Sequence, residues 1–239
     1  MEIGEIIGDA VRYPLNHTKS LLIYIVIMFI IALIAVFTGV GLIAGQEANQ
    51  FLASGIIGII GLLLIIIIGL FIYGYGLDII KLGIERSEAA PEIDIGRQAI
   101  SGLKYLILAF IYCIIPVIIM VLLGYINNTL ALIVGLILFI IFGLTLVMAE
   151  GRLADTGSLG HALNIPEAIN DLQTVGIVKT ILVIIIVGII YFILSLIPGI
   201  FSGMGDIGSI IGALLSAIIS AYLFFFSQRA TGLLYSDAK

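Results

Sequence analysis

Charge is what this sequence has least of. Only 10% of its 239 residues are Asp, Glu, Lys or Arg, while 62% are hydrophobic. Soluble domains carry about 25% charged residues. A soluble fold of this length cannot hide so much apolar surface, so the implied solvent is lipid. Tryptophan is absent, which leaves ten tyrosines for the membrane interface. The single cysteine, Cys113, sits in an apolar run and excludes both an internal disulfide and a thiolate metal cluster. The two histidines, His17 and His161, are far apart and carry no ligand spacing. There is no Ser–His–Asp, Cys–His or Glu-x-x-His arrangement, so no catalytic residue, metal or cofactor is implied. The net charge of −5 supplies no basic field for nucleic acid. Glu2, Glu5, Asp9, Arg12 and Lys19 in the first twenty residues exclude a cleavable signal peptide. Neither end carries a lipidation motif.

What is present is a set of charge-free windows, at 20–46, 48–77, 105–149, 180–205 and 207–228. A spanning helix needs about 20 apolar residues. Four windows hold one helix each. The window 105–149 holds two, broken at the turn-forming cluster Gly124-Tyr125-Ile126-Asn127-Asn128-Thr129. The spacing predicts spans at 21–40, 55–75, 103–123, 130–149, 176–197 and 208–227. Runs such as Ile65-Ile66-Ile67-Ile68 and Ile184-Ile185-Ile186 are apolar all round, as a helix facing lipid requires. The expected fold is an all-α membrane protein: six transmembrane helices in three hairpins, forming one integral membrane domain over 1–239.

The basic residues set the expected orientation. Arg12 and Lys19 precede the first span. Lys81, Arg86, Arg97 and Lys104 separate the second from the third. Arg152 and Lys179 separate the fourth from the fifth, and Arg229 and Lys239 follow the sixth. All ten fall on one side, while the opposite loops carry only Glu47 and Asp206. The positive-inside rule places both termini in the cytoplasm, with the protein in the cell membrane. Thirteen acids share the inner face, which argues against a polybasic lipid-binding patch there.

A short amphipathic segment introduces each hairpin. In residues 2–13, Ile3, Ile6, Ile7, Ala10 and Val11 take one helical face and Glu2, Glu5, Asp9 and Arg12 the other. Residues 94–101, with Asp94 as N-cap, and 158–172 are the other two. Such helices lie in the interface plane; the competing reading is three polar loops. The even-numbered spans end alike, at Asp78, at Glu150-Gly151-Arg152 and at Arg229, with a period of roughly 75–80 residues. This suggests triplication of one unit, an amphipathic helix followed by a transmembrane hairpin.

Several of these residues also carry a resemblance. Pro91-Glu92-Ile93-Asp94, Gly102-Leu103-Lys104-Tyr105, Tyr112 and Pro116 resemble the central signature of an uncharacterised archaeal membrane family, the domain-of-unknown-function family 4013. Ile93 stands where that family's pattern has an aromatic. The segment ending Tyr13-Pro14 and the exit Ala149-Glu150-Gly151 are similar as well. The resemblance implies a six-helix membrane protein and carries no activity or catalytic residue.

Four features remain to be weighed as candidate sites. Gly208, Gly212, Ser216 and Ser220 form a small-residue stripe on the sixth helix, suited to close packing inside the bundle or to a homodimer contact. On this reading Gly212→Leu is disruptive, while Leu223→Phe and Ile219→Val, off the stripe, are mild. Gly203-Met204-Gly205-Asp206-Ile207-Gly208 spells a dinucleotide-binding pattern but lacks the preceding strand that such a site needs, so a tight turn is the better account. Pro116, in the middle of the third span, leaves the Tyr112 carbonyl without its helical donor and predicts a kink. Asp78, Glu150, Arg152, Asp155 and Arg229 cluster at the cytoplasmic mouth, either reaching separately for water or closing the bundle as an ion-pair ring, with Glu150 and Arg229 as the leading pair. Two functions follow: a non-enzymatic membrane component, scaffold or subunit; or a transporter, channel or lipid-handling protein. An intramembrane enzyme lacks a polar constellation. Membrane lipid is the expected partner, together with a membrane-protein partner or a second copy.

Overall fold

The computed structural model describes residues 1–47, 50–202 and 204–239, without the side chains of 45–47, 202 and 206. The elements are α1 (Ile3–Asn16), α2 (Thr18–Glu47), α3 (Phe51–Ile84), α4 (Ile95–Gly124), α5 (Asn128–Thr156), α6 (Leu159–Ala162), α7 (Ile165–Val175), α8 (Ile177–Ser202), α9 (Gly205–Tyr235) and a closing 3-10 turn, Ser236–Ala238. Among the described residues there is no strand, and six helices, α2 to α5, α8 and α9, are long and apolar enough to cross a membrane. The side chains of Glu47 and Asp206, and Gly203 of the glycine motif, lie outside the described residues.

The transmembrane helices outrun their charge-free windows at the end that carries the termini. α3 continues past Tyr75 to Ile84, and α9 past Ser227 to Tyr235. A helix does not stop where lipid stops; it stops where a cap or a turn takes over its unpaired carbonyls. α5 stops at Gly157, whose φ of 64° suits the left-handed capping position, its N–H bonding the Leu153 carbonyl at 2.9 Å. At the other end of the molecule the turn at 124–128 forms as its sequence predicts, with the Asn127 side chain accepting the Leu130 N–H at 3.0 Å.

The three amphipathic segments take three forms. The first is a separate helix, α1. The second is continuous with its transmembrane helix: Asp94 caps α4 by accepting the Arg97 N–H at 3.0 Å, and no break separates the two. The third is divided into α6 and α7. The apolar face of α1 meets protein rather than lipid. Ile6 and Ala10 are fully buried in the core, and the Tyr222 hydroxyl of α9 donates to the Val11 carbonyl at 2.9 Å.

Inside the bundle α3, α5 and α9 contact one another. α4 packs between α3 and α5, α2 between α3 and α9, and α8 along α9 with α1 and α7 at its end. Two glycines set the closest crossing. A Cβ at Gly74 would stand 1.7 Å from the Gln98 carbonyl oxygen, and one at Gly102 1.8 Å from that of Leu70. The backbones of α3 and α4 therefore touch, as small residues allow in membrane helices. Burial is concentrated toward the termini. α3 buries Ile72, Tyr75, Leu77, Ile79, Ile80 and Ile84, yet between 55 and 71 it buries only Gly61.

Candidate functional site at the charged face

The end that carries the termini gathers almost all of the charge, and its organisation follows the three units. Each inner helix ends its apolar span in a charged residue, and each of these residues binds the amphipathic segment that introduces another hairpin. Asp78 of α3 receives Arg97 through two hydrogen bonds of 2.6 and 2.9 Å, and Gln98 Nε2 at 2.7 Å. Arg152 of α5 grips α7, donating to Asp171 at 2.8 Å and to Glu167, and reaches the His161 carbonyl at 3.1 Å. Arg229 of α9 returns to α1, donating to the Asp9 carboxylate at 2.7 and 3.3 Å. Hairpin one thus holds segment two, hairpin two holds segment three, and hairpin three holds segment one. The ring closes, with the charge signs exchanged in the first tie.

Arg229 is buried to 1% exposure, and its burial is compensated on every side. Besides Asp9, its Nη1 donates to the Ser87 carbonyl at 2.7 Å, and the guanidinium lies 4.6 Å from the centre of the Tyr13 ring. The neighbouring carbonyls are taken in turn. His17 Nε2 lies 2.7 Å from the Glu88 oxygen, and the Tyr13 hydroxyl donates to that of Ala89 at 2.9 Å. Three consecutive carbonyls of the loop after α3 are strapped to α1 and α9. The other His17 nitrogen lies 2.8 Å from the Tyr13 carbonyl; a neutral ring donates to one of these oxygens, an imidazolium to both. Burial holds the Tyr13 hydroxyl protonated well above the ordinary tyrosine range, outweighing the opposing pull of Arg229. That keeps it a donor.

The loop reaches this position because the turn that follows α3 carries Arg86 at φ 52°, a conformation glycine usually takes. The Arg86 guanidinium reaches Ser236 and Asp237 at 3.3 Å each. Asp237 also receives the Met1 ammonium at 2.9 Å and Lys179, so both chain ends and α8 meet at one carboxylate. Burial pushes the Asp237 pKa up, but Lys179 and the Met1 ammonium together outweigh it and hold the carboxyl below its ordinary value.

The five mouth charges read from the sequence are all at this face, but each takes its partner from outside the set. Asp155 binds Lys239. Glu150 lies against the Tyr105 hydroxyl, not against Arg229, because Asp9 on α1 reaches the guanidinium first. Of the stripe on α9, Gly208 and Gly212 are buried while Ser216 and Ser220 are exposed. Leu223, taken as lying off the packing surface, is 1% exposed and belongs to the core. α4 runs through a buried Pro116 as one helix. Cys113 is exposed. Among the described residues no three His, Cys, Asp or Glu side chains come together as metal ligands. The partners missed from sequence, Asp9, Arg97 and Asp171, share one signal: each is opposite in charge to the exit residue it meets.

Six apolar helices and a single interlocked charged face define a multi-pass α-helical membrane protein. Within that class the chain belongs to the family described as protein of unknown function (DUF4013), whose model matches residues 59–203. The match contains the Pro91–Asp94 and Gly102–Tyr105 motifs, which here form the docking of α4 on α3. No curated protein and no solved structure matches the chain.

Proposed function

We propose that this protein is a non-enzymatic membrane component, a scaffold or subunit that holds another membrane protein. The observation that carries the reading is the filled centre of the bundle. Where α3, α5 and α9 meet, Ile80, Met148, Ala149 and Phe226 are fully buried. Among the described residues, three hydroxyls along the spans are spent on the backbone. Thr38, Thr145 and Ser195 return theirs to carbonyls of their own helices at 2.7, 2.7 and 2.8 Å. Away from the charged face the helices present apolar side chains outward, among them Ile60, Leu63, Ile137 and Ile140. Such surfaces take lipid or a partner's helices.

The lipid-handling alternative draws on one feature, an apolar groove of about 390 Å³ lined by Ile23, Ile27, Ile67, Phe71 and Ile93. Photo-crosslinkers at positions 60 and 137 separate the two: a scaffold gives one stoichiometric protein adduct, and a lipid-handling protein gives lipid adducts alone. Protein-dependent solute flux in proteoliposomes would overturn the scaffold reading.

We infer further that both termini lie in the cytoplasm of a cell-membrane protein; the support is that every basic residue lies toward one face. Cysteines introduced near Asn127 should react with an impermeant thiol reagent in intact cells, and those near Arg86, Asp155 or Lys239 should not. Labelling of either terminus from outside would reverse the orientation.

A further inference from the structure

We propose that the cleft between α3, α4 and α5 at the charged face binds the phosphate group of an anionic ester, held by Lys81, Lys104 and Ser101. The cleft encloses about 280 Å³, enough for a phosphate with a small polyol attached, over an apolar floor of Leu77 and Leu153. Its charge runs against that of the molecule. The chain as a whole is −5. Within the cleft, Asp78 is neutralised by the forked contact with Arg97, and Asp155 by Lys239 from outside. Lys104 donates to the Gly157 carbonyl at 2.7 Å, a neutral acceptor that leaves its charge uncompensated and two of its three donors free. Lys81 has no ion-pair partner among the described residues and lines the same space. Two ammonium charges therefore face one small volume.

The carbonyl end of α5 offsets about half a charge, which leaves the cleft well on the positive side. Two ammonium groups act as point charges on a tetrahedral oxyanion, where a flat carboxylate is better met by a guanidinium fork. The Ser101 hydroxyl adds a neutral donor at the wall. Lysines that merely sought water would extend away from the protein, whereas the Lys104 ammonium is tied to the Gly157 carbonyl at the cleft wall.

The phosphate can belong to a lipid headgroup or to a soluble ester, and the test distinguishes them. The full chain in neutral detergent is titrated with phosphatidylglycerol, with a phosphate-free glucosyl diacylglycerol and with glycerol phosphate, and followed by native mass spectrometry and thermal unfolding. Phosphatidylglycerol is expected to remain bound and to raise the unfolding midpoint, and Lys81→Gln with Lys104→Gln to weaken it at least tenfold. Lys19→Gln, outside the cleft, should leave binding unchanged. Glycerol phosphate acting as well as the lipid assigns a soluble ester; action by the lipid alone assigns the headgroup. Lys81→Gln by itself breaks no side-chain hydrogen bond or ion pair among the described residues, and an unchanged unfolding midpoint without lipid separates its loss of binding from misfolding. Equal retention of the phosphate-free lipid, or binding that survives both substitutions, overturns the proposal.

Discussion

Arg229 shows how a charge is kept inside a protein whose surroundings disfavour it. Its guanidinium has donors for a carboxylate, a carbonyl and an aromatic face, and the fold supplies all three. Removing one member of such a pair leaves the other without compensation, at a cost of about 3–5 kcal/mol when both are buried. Asp9 is a third exposed, so Arg229→Gln should cost less, about 2–3 kcal/mol. Asp9→Asn should cost a similar amount, and the double substitution should cost less than the sum of the two. The same thermal-unfolding cycle run on Glu150→Gln and Arg229→Gln should be additive, since Glu150 faces Tyr105. Coupling in the second cycle and none in the first would return Arg229 to the partner that its sequence position suggested. The charge was legible and its partner was not. Glu150 and Arg229 share a depth in the membrane, but Asp9 is 220 residues away along the chain and meets Arg229 only because α1 folds back onto α9.

Among the elements, the α3–α4 crossing and the α5–α7 tie make separate demands. At Gly74 and Gly102 any Cβ meets a carbonyl oxygen of the facing backbone, which cannot move aside as a side-chain tip can. Gly74→Ala and Gly102→Ala should each destabilise by at least the 1–3 kcal/mol typical of overpacking, about the same at both sites. At Gly143, which has nothing within 4 Å, alanine should gain about 0.5–1 kcal/mol. Equal tolerance at all three positions would mean that the helices stand further apart than described. The α7 tie is electrostatic. Arg152→Gln removes both carboxylate contacts, so hydrogen exchange should quicken across Ile165–Val175 and stay unchanged across Ile3–Asn16. Uniform protection would show that Ala168, Leu172 and Val175, buried on that helix, suffice to hold it. The existence of these helices could be read from apolar runs and caps. Their closeness could not, because a glycine in a sequence does not reveal which backbone it admits. Gly39 and Gly74 look alike until a neighbour is placed beside one of them.

Across the molecule the packing is graded along the membrane normal. Near the charged face aromatic and aliphatic side chains interlock, with Tyr24 set among Tyr75, Phe224 and Phe225 at ring distances of 5.0 to 5.3 Å. Toward the opposite face the same helices leave most side chains outward. Phe225→Ala and Ile79→Ala should therefore cost about 3–5 and 2–5 kcal/mol. Ile60→Ala and Ile137→Ala, where lipid refills the space, should cost under about 1 kcal/mol in the same lipid-reconstituted unfolding assay. A flat profile would mean that the outer halves pack on each other as tightly as the inner ones.

The sequence by itself determined the solvent, the number of spans, the turn between the third and fourth spans, and the gathering of basic residues at one end. Each follows from local quantities: the free energy of placing a charge in lipid, the length of a helix that crosses it, and the turn chemistry of Asn and Gly. It also marked the three exit positions, since a charge directly after an apolar span is a one-dimensional signal. Only the tertiary structure decided what those charges hold. Asp78 to Arg97, Arg152 to Asp171 and Arg229 to Asp9 join residues that no local pattern brings together. The choice among several opposite charges at one depth depends on which helix faces which, and that is settled by close backbone crossings and by the burial of α1 against α9.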